Sequence, residues 1–536
     1  MKNLVILFDP GHIGNPTSVK RQFDKVFGGK SAYQNSLAWG IKLYESQENE
    51  PIVVFAHEDS VAEIENQAKE ENISIKVVIY GQWKTKDLCE AISNELSIAK
   101  ATTAIFSWLD CPFLDASLSV KMLKNHIQYA AEYTFAEGYP YGFTPEIIDS
   151  GASSIISSLS KDTQKIEGEK NITRESIFNI MKGDINSFEI ETEISPEDFR
   201  LLRLDFSCST KSNMLACQKL FEIANGEKSA LELSKLASNT AGILRTVPSF
   251  YNIQIESKYR SKCIYSPYPE ALEKTNKVLS EMSFEAFQGL VKQIAEYSEN
   301  AVISLSLFGE PLFHKDFKLF VLEVLKYQGL SVVIETTGEN IQESDIKEIA
   351  DFANEIKDRT NGYDKVMWIV YVDSMTKEKY EQIHFVDGLS KAKDCITLLT
   401  RYFPSSTYAQ FTRMNQNEDE LESFYRFWSD KKSPSNGNFI IQKYNDFGGL
   451  LPPNKPADLS PLERFPDWHL RRDMVILCDG SVPLYKESML DDTIGNVFND
   501  SVESLWRKSD KLMEDQINKK YDEISGKCDE YYTFNF

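Results

Sequence analysis

Short apolar runs alternate with amphipathic helical stretches along the first part of the chain. An apolar run of four to eight residues between turn residues is typical of a strand buried on both faces. The predicted strands are residues 3–8, 52–56, 75–80 and 103–108, and helical periodicity at 60–71 and 86–98 lies between them. Strands that alternate with helices indicate a doubly wound parallel sheet. We therefore predict an α/β domain over residues 1–160.

The pattern changes over residues 161–245, where the chain is charged, rich in serine and periodic at helical spacing. The stretches NMLACQKLFEIANG and SALELSKLASNTAGIL show this period most clearly. We predict a helical segment that connects two larger domains. We find no recognisable chemistry in this segment.

Strand–helix alternation resumes after Pro248. The predicted strands are residues 250–257, 301–308, 330–336, 366–372, 406–414 and 438–444, and predicted helices include 315–328, 343–358 and 417–430. Six β/α units predict a partial barrel over residues 246–450, with its active site at the carboxyl ends of the strands. Residues 451–536 are first rich in proline and then mixed, which predicts a small appended domain.

The charge of the chain narrows its possible partners. The 536 residues carry a formal net charge of −22. An acidic surface repels phosphate backbones and anionic lipids, so we expect neither nucleic-acid nor membrane binding. The apolar run in MKNLVILFDPGH is too short for a signal peptide, and no segment approaches the roughly 18 apolar residues of a membrane span. These features predict a cytoplasmic protein.

The cysteines and histidines do not form a familiar metal-binding pattern. The chain has 8 cysteines without a CxxC pair, and 6 histidines without an HxH or HExxH arrangement. Without an export signal, the cysteines are expected to be reduced thiols. Several are expected to be small core residues. These are Cys89, Cys208, Cys217 and Cys395 on apolar helical stretches, and Cys478 in the middle of a strand.

The loop ESKYRSKCIYSPYPE, residues 256–270, follows the first predicted barrel strand. Radical S-adenosylmethionine (SAM) enzymes place a CxxxCxxC motif at this point, where three thiolates hold a [4Fe–4S] cluster that binds SAM. In this chain the motif reads YxxxCxxS, with Tyr259, Cys263 and Ser266 at the three positions. The neighbouring Tyr265 and Pro267 also fit the pattern.

Further motifs stand in order at the ends of predicted strands. FGEP ends the second strand at 308–311, ETTG the third at 335–338, and VYVDS the fourth at 370–374. With these matches the chain resembles the spiro-SPASM proteins, a radical SAM subgroup with a nucleotidyltransferase-like N-terminal domain and a C-terminal SPASM domain. The resemblance implies a SAM site. Its residues would be Tyr259, Cys263, Tyr265, Ser266, Gly309, Glu310, Pro311, Thr336 and Asp373.

The resemblance extends into the C-terminal region through IIQKYNDFGGLLP, DLSPLERFPDWHLRRDMVIL, DGSVPLYKE and IGNVFNDSVESLW. In the SPASM module, further cysteines bind auxiliary clusters. Here Asp467, Tyr485 and Ser525 stand where the resemblance implies cysteines, although Cys528 is present.

Five positions at which the resemblance implies cysteine ligands therefore carry other residues. These are Tyr259, Ser266, Asp467, Tyr485 and Ser525. One thiolate cannot hold a cubane, and neither tyrosine nor serine is a usual cluster ligand. We predict that this chain does not hold a [4Fe–4S] cluster, which leaves Cys263 as the one metal-ligating candidate of the loop. The alternative is that Cys263 is an ordinary loop thiol in an unrelated barrel.

The N-terminal domain contains candidates for phosphate and Mg²⁺ binding. GGKS is not a P-loop, because Asp24 stands where that motif requires glycine. DKVFGGKSAYQNSLAWGIK instead resembles the segment after the signature loop of nucleotidyltransferases, which implies a nucleotide contact at Lys30. SWLDCPFLD resembles the strand-end motif of that fold, which implies Mg²⁺ at Asp110. A capping or solvated acid is the alternative role for Asp110.

The signature loop itself departs from the nucleotidyltransferase pattern. FDPGHIGNPTSVKR contains Gly11, Gly14, Lys20 and Arg21, but not at the usual spacing. The backbone amides that would surround a phosphate are therefore expected to form an incomplete site.

Three functions follow, in order of preference. The first is a pseudoenzyme that has lost its clusters and binds SAM, a nucleotide, or a protein or peptide partner. The second is a Mg²⁺-dependent nucleotidyltransferase that acts through the N-terminal domain. The third is an active radical SAM enzyme with unusual cluster ligands.

Overall fold

The computed structural model describes residues 2–9, 20–44, 51–80, 83–161, 168, 170–259, 262–275, 279–457, 464–489 and 493–521. The chain divides into two compact units, Met1–Thr246 and Val247–Phe536. Each unit is built around a sheet with parallel strands and has helices along its sequence between the strands. The predicted α/β class is therefore confirmed.

The elements of the first unit alternate along most of its length. Its strands are β1 (Asn3–Phe8), β2 (Ile52–Ala56), β3 (Ile75–Ile79), β4 (Thr103–Trp108), β5 (Tyr133–Glu137), β6 (Glu146–Asp149) and β7 (Ile190–Ile194). Its helices are α1 (Ala32–Leu43), α2 (Val61–Glu70), α3 (Thr85–Ala99), α4 (Ala116–Gln128), α5 (Ser150–Ser160), α6 (Ser176–Lys182), α7 (Lys211–Ala224), α8 (Ala230–Ser238) and α9 (Ala241–Leu244).

The sheet of the first unit has the strand order β3-β2-β1-β4-β6-β5-β7. β1 pairs in parallel with β2 and β4, and β2 pairs in parallel with β3. β6 runs antiparallel to β4 and β5, and β7 pairs in parallel with β5. The strand order reverses between β1 and β4, and ligands of open α/β sheets bind at the carboxyl ends of the strands at such a point.

Both faces of this sheet are covered by apolar side chains of helices. Along β1, residues Leu4, Ile6 and Phe8 pack into one cluster with α3 and α5, whereas Val5 and Leu7 pack into another with α1 and α4. Successive side chains of a strand point to opposite faces. A continuous apolar run is therefore what a strand between two helical layers requires.

The strands β5, β6 and β7 lie outside the strands that the sequence pattern predicts. β7 falls within 161–245, where we expect helices. Its sequence, IETEI, alternates apolar and acidic residues, and four of its five residues are half-buried or exposed. This short alternating pattern is weak in isolation, and the strand forms because β5 offers a free edge for parallel pairing.

The second unit contains a longer series of elements. Its strands are β8 (Phe250–Ile253), β9 (Ala301–Ser304), β10 (Leu330–Thr336), β11 (Val366–Tyr371), β12 (Thr407–Arg413), β13 (Phe439–Lys443), β14 (Asp473–Ile476), β15 (Ser481–Val482) and β16 (Gly495–Asn496). Its helices are α10 (Tyr268–Thr275), α11 (Phe284–Tyr297), α12 (Phe317–Leu325), α13 (Glu343–Glu355), α14 (Lys377–His384), α15 (Leu389–Tyr402), α16 (Leu421–Trp428), α17 (Trp468–Arg472), α18 (Val502–Arg507) and α19 (Asp510–Ile517).

The main sheet of the second unit has the order β13-β12-β11-β10-β9-β8-β14, and each neighbouring pair is parallel. The strands predicted at 250–257 and 301–308 end early, at Ile253 and Ser304. β14 comes from the region for which we expect an appended domain, and it extends the sheet beside β8. β15 and β16 form a separate antiparallel pair.

Alternation along β10 separates the core of this sheet from its polar side. Leu330, Val332 and Ile334 belong to the hydrophobic core, together with side chains of α11, α12, α13 and α15. Glu335 points away from that core and lines a cavity. The sheet therefore has an apolar side against helices and, at its carboxyl end, a polar side that faces the cavity.

Two predictions about cysteines are wrong. Cys208 precedes α7, which begins at Lys211 after its capping residue Thr210, so Cys208 lies outside a helix. Cys478 lies in a turn after β14, which ends at Ile476. Both are nevertheless buried, and the cysteines within the described ranges are all free thiols. No helix in those ranges is long and apolar enough to span a membrane.

A glycine substitution tests the close packing of the first unit. Gly142 has φ +93°, and an added Cβ would lie 2.6 Å from the backbone oxygen of Phe206. Gly226 has φ +104° but open space around it. We expect Gly142→Ala to destabilise the unit by about 3 kcal/mol and Gly226→Ala by about 1 kcal/mol, because only the first adds a backbone clash to the strain. Native-state hydrogen exchange of peptides from this unit measures the difference, and equal effects would contradict the packing.

Candidate functional site

A cavity of about 240 Å³ lies at the carboxyl ends of the parallel strands of the second unit. Six neighbouring strands each contribute a polar side chain to its lining. These are Asn252, Ser304, Glu335, Tyr371, Gln410 and Gln442, from β8 to β13 in chain order. The carboxyl ends of parallel strands meet at one edge of the sheet, so residues far apart in sequence converge there.

The loop between β8 and α10 lies over this cavity. Tyr259, Cys263, Tyr265 and Ser266 all line it. Desolvation by burial raises the pKa of the Cys263 thiol to about 12. The surroundings of this side chain therefore favour the neutral thiol over the thiolate.

The segment after β9 approaches the same loop closely at Gly309. An added Cβ would lie 1.7 Å from the backbone oxygen of Glu256, so a larger residue would force the two segments apart. The next residue, Glu310, donates its backbone N–H to the carbonyl of Lys258 at 2.8 Å. Glycine is required here because the two backbones are in contact.

The buried carboxylate of Glu310 joins this segment to the end of β10. Its Oε1 accepts a hydrogen bond from the Thr336 hydroxyl at 2.6 Å. Its Oε2 accepts from the N–H and the hydroxyl of Thr337 at 2.9 and 2.7 Å. Burial raises the pKa of Glu310, although these donors oppose the shift. Glu310 therefore fixes the shape of the cavity wall.

Asp373, which follows β11, is fully buried and fully hydrogen-bonded. Its Oδ2 accepts from the Tyr265 hydroxyl at 2.8 Å and from Nε2 of His384 at 3.0 Å. Its Oδ1 accepts from the backbone N–H of Thr412 at 2.6 Å. Asp373 thus holds Tyr265, and with it the loop, against two strands and a helix.

The structure brings most of the predicted SAM-site residues together. Six of them line the cavity: Tyr259, Cys263, Tyr265, Ser266, Gly309 and Glu310. Pro311, Thr336 and Asp373 are buried and do not line it. Sequence reasoning chose Thr336 at the end of β10 and missed its neighbour Glu335. Strand alternation could have identified Glu335, because adjacent side chains point to opposite faces.

Lys443 and Lys486 also line the cavity and were not predicted. Lys443 ends β13, and Lys486 begins a short 3₁₀ turn after β15. Their sequence contexts, IIQKY and VPLYKE, show no pattern that separates them from surface lysines. Only the tertiary structure places these two positive charges beside the carboxylates.

In the first unit, Asp110 lies just after β4 and is fully buried. Arg174 donates to both of its carboxylate oxygens, at 2.8 and 3.3 Å. Arg174 also donates to the Tyr141 hydroxyl at 2.7 Å and lies 5.1 Å from the centre of the Trp108 ring. The alternative of a solvated acid is therefore wrong, since Asp110 forms a buried ion pair.

Lys30, for which the sequence predicts a nucleotide contact, has an acidic partner in the structure. The Nζ of Lys30 forms an ion pair with Glu71 at 2.7 Å on the surface. Gly11 and Gly14 of the expected signature loop lie outside the described residues. In the ranges that are described, no group of three or more His, Cys, Asp or Glu could hold a metal ion.

Two positions at which the resemblance implies cysteines are linked by Gln516. The N–H of Asp467 donates to Oε1 of Gln516 at 2.8 Å, and Nε2 of Gln516 donates to the Tyr485 hydroxyl at 3.4 Å. Asp467 also caps α17 by accepting from the N–H of His469. Hydrogen bonds therefore connect these buried positions. Ser525 and Cys528 lie outside the described residues.

Thiol labelling tests the environment of Cys263. A pKa of about 12 leaves far less thiolate at pH 8 than in an unfolded chain. We expect iodoacetamide to modify Cys263 about 10³-fold more slowly in the native protein than in urea, with a rate that still rises about tenfold per pH unit near pH 9. Mass spectrometry of the Cys263 peptide follows the reaction. A native rate that levels off by pH 9 would contradict the raised pKa.

Several solved structures resemble this chain, with low sequence identity and low TM-scores. BtrN in complex with AdoMet and 2-DOIA is 16% identical, with a TM-score of 0.33 over 53% of this chain and 94% of its own. A cytidylyltransferase from Leptospira borgpetersenii is 16% identical, with a TM-score of 0.36, and the match covers 46% of this chain and 98% of that protein. Streptococcus suis SuiB bound to the precursor peptide SuiA is 11% identical, with a TM-score of 0.39, and the match covers 62% of this chain and 76% of that protein. At TM-scores below 0.5, these likenesses support no conclusion about activity.

Comparison by sequence gives a closer relationship. No family model matches the chain. One uncharacterized protein of Treponema pallidum (strain Nichols) is 38% identical over 53 residues, which cover 10% of this chain and 24% of that protein. Another uncharacterized protein of the same strain is 39% identical over 368 residues, which cover 67% of this chain and 98% of that protein. The chain therefore belongs to the same family as this longer-matching, uncharacterized protein of Treponema pallidum.

Proposed function

We propose that the protein is a pseudoenzyme of the radical SAM type, which binds SAM in the cavity of the second unit without a [4Fe–4S] cluster. One observation carries the proposal. The three loop positions that match CxxxCxxC all line this cavity, and they carry Tyr259, Cys263 and Ser266. The position of the loop supports the family architecture, and its side chains do not suit the cluster.

The chemistry of the three side chains supports the absence of a cluster. A cubane bound at one loop needs three thiolates. Cys263 is the one thiol of the three, whereas Tyr259 and Ser266 offer only hydroxyl groups. In the C-terminal region, Asp467 and Tyr485 are engaged in hydrogen bonds with His469 and Gln516. The described residues therefore do not fit a cluster, and we derive no radical step.

The finer architecture is part of this proposal. We place a nucleotidyltransferase-like domain at 1–160, a connecting segment at 161–245, a partial radical SAM barrel at 246–450 and a SPASM-like domain at 451–536. The alternation of strands and helices and the all-parallel main sheet of the second unit support the two α/β domains. β7 and β14 join the two main sheets from the connecting segment and from the C-terminal region. Spiro-SPASM membership and a cytoplasmic location belong to the same proposal.

Calorimetry and metal analysis test the function together. After anaerobic reconstitution, wild-type protein should contain well under one iron per chain and should bind SAM with a Kd on the order of 10–100 µM. Weak binding is expected because the cavity offers hydrogen bonds and charges but no metal–ligand bonds. About four irons per chain, or a complete lack of SAM binding, would overturn the proposal.

The matched variant restores the thiols. Tyr259→Cys with Ser266→Cys recreates CxxxCxxC on a loop that Asp373 and Gly309 hold in place. We expect this variant to take up roughly one [4Fe–4S] cluster, whereas Tyr259→Ser with Ser266→Ala should not. A folded double-cysteine variant without iron would show that the loop is not a former cluster site.

Mg²⁺-dependent nucleotidyl transfer by the first unit has less support. The carboxylate that would bind the ion, Asp110, is neutralised by Arg174 inside the protein. The described residues therefore do not present a Mg²⁺ site. An active radical SAM enzyme with unusual ligands is disfavoured because Tyr259 and Ser266 are not usual cluster ligands.

Two variants test this alternative with opposite results. If Asp110 binds Mg²⁺, Arg174→Gln should tighten Mg²⁺-dependent binding of a nucleoside triphosphate by about tenfold, since the competing cation is removed. Asp110→Asn should abolish that binding. We expect neither effect, and only a loss of stability in both variants, because the pair is a buried structural ion pair. Calorimetry with and without EDTA gives the answer.

A further inference from the structure

Several buried polar side chains line the cavity of the second unit without a hydrogen-bond partner. Ser304 of β9 and Gln410 and Thr412 of β12 are 1%, 3% and 5% exposed. Across the part of the chain that the structure describes, no hydrogen bond engages these side chains, and the same holds for the half-buried Gln442 of β13. An unpaired polar group inside a protein is unfavourable, and nearly all such groups have a partner. The partners of these four side chains must therefore come from the contents of the cavity.

The register of the strands places these side chains beside one another. Three pairs of register partners line the cavity, and we call their six residues the polar floor. They are Asn252 with Ser304, Tyr371 with Gln410, and Thr412 with Gln442. Neighbouring strands lie about 4.8 Å apart, so the polar groups of each pair are within reach of one small ligand. All six belong to strands, whereas Tyr259 and Gly309 of the proposed SAM site follow strands.

The chemistry of the polar floor suits an uncharged ligand with many hydroxyl groups. Side-chain amides and hydroxyls both donate and accept hydrogen bonds, and none of the six groups carries a charge at neutral pH. A ring with hydroxyl groups on neighbouring carbons offers donors and acceptors at the same close spacing. The carboxylate of Glu335, which lines the same cavity, already accepts from one hydroxyl, that of Tyr371, at 2.7 Å.

Two aromatic side chains give the cavity an apolar surface as well. Phe308 and Phe447 line it, and their ring centres lie 6.2 Å apart. Both have a left-handed backbone, with φ +60° and φ +53°, which is unfavourable for a bulky residue. Strain of this kind is concentrated at binding sites, where it fixes the position of a side chain. An aromatic face at a polar cavity packs well against the C–H groups of a sugar ring.

We propose that the polar floor binds a cyclic polyhydroxylated compound of the size of a monosaccharide, as a second ligand beside SAM. Its hydroxyl groups bond to the floor, and its C–H face packs on Phe308 and Phe447. A peptide also offers uncharged amides, but an extended chain presents them along two opposite edges. The floor instead draws its side chains from five strands around one cavity. The inference goes beyond the proposed function, because it does not require SAM.

Saturation-transfer NMR with the full chain tests the inference. The probes are D-glucose, D-galactose, D-mannose and myo-inositol, with tetraalanine as the peptide probe. We expect at least one of the four polyols to bind, with a Kd on the order of 1 mM. For that polyol, Gln410→Met should weaken binding about tenfold, because two hydrogen bonds are lost, and Ser304→Ala about threefold. The control is Gln382→Met at an exposed position of α14 outside the cavity, which should leave binding unchanged.

Calorimetry with SAM on the same proteins separates this inference from the proposed function. Both floor variants should keep their SAM affinity within about twofold. The inference is overturned if none of the four polyols binds, if tetraalanine binds in their place, or if the floor variants leave polyol binding unchanged. Floor variants that lose SAM and not the polyol would assign the floor to the ribose of SAM, which overturns the inference and leaves the proposed function standing. A wild type that binds a polyol but not SAM overturns only the proposed function. Should Gln410→Met fail to fold, Ser304→Ala decides.

Discussion

Separate segments of the second unit meet at the buried carboxylate of Asp373. It accepts hydrogen bonds from Tyr265 in the cavity loop, from His384 at the end of α14 and from the backbone of Thr412 in β12. Its backbone carbonyl accepts a further bond from the Asn417 side chain at 2.9 Å. Asp373 has φ +55°, a left-handed conformation that aspartate tolerates better than most residues. Because these contacts act on one residue, the position of the loop over the cavity depends on it.

The same edge of the sheet carries two further carboxylates, those of the buried Glu310 and the half-buried Glu335. Burial raises the pKa of Glu310 and of Glu335, since each anion loses hydration when the strands and helices close around it. Thr336, Thr337 and Tyr371 donate to these groups and offset part of that penalty. Keeping a carboxylate in such surroundings has a desolvation cost. Polar groups held at a cost in stability around a cavity are typical of a binding site.

Several side chains that the sequence motifs suggest as metal ligands make internal contacts in the structure. Asp110 forms a buried pair with Arg174, and Asp467 caps α17 and is hydrogen-bonded to Gln516. Cys263 remains a thiol whose pKa is raised by burial. Hydrogen bonds or an ion pair engage Asp110 and Asp467. These contacts belong to the support for the proposal that the protein holds no cluster.

The sequence by itself determined the α/β class, the main parallel strands and the loop that lies over the cavity. Apolar period and turn residues are local properties, so β1, β10 and β12 can be recognised from a few neighbouring residues. Only the tertiary structure decided that β7 joins a sheet and that Lys486 and Glu335 line the same cavity. It also decided that Asp110 is neutralised by Arg174, 64 residues away. These contacts join segments that are far apart in the sequence. The hydrophobic period of one segment does not show which other segment will pair with it, so the sequence pattern alone could not predict them.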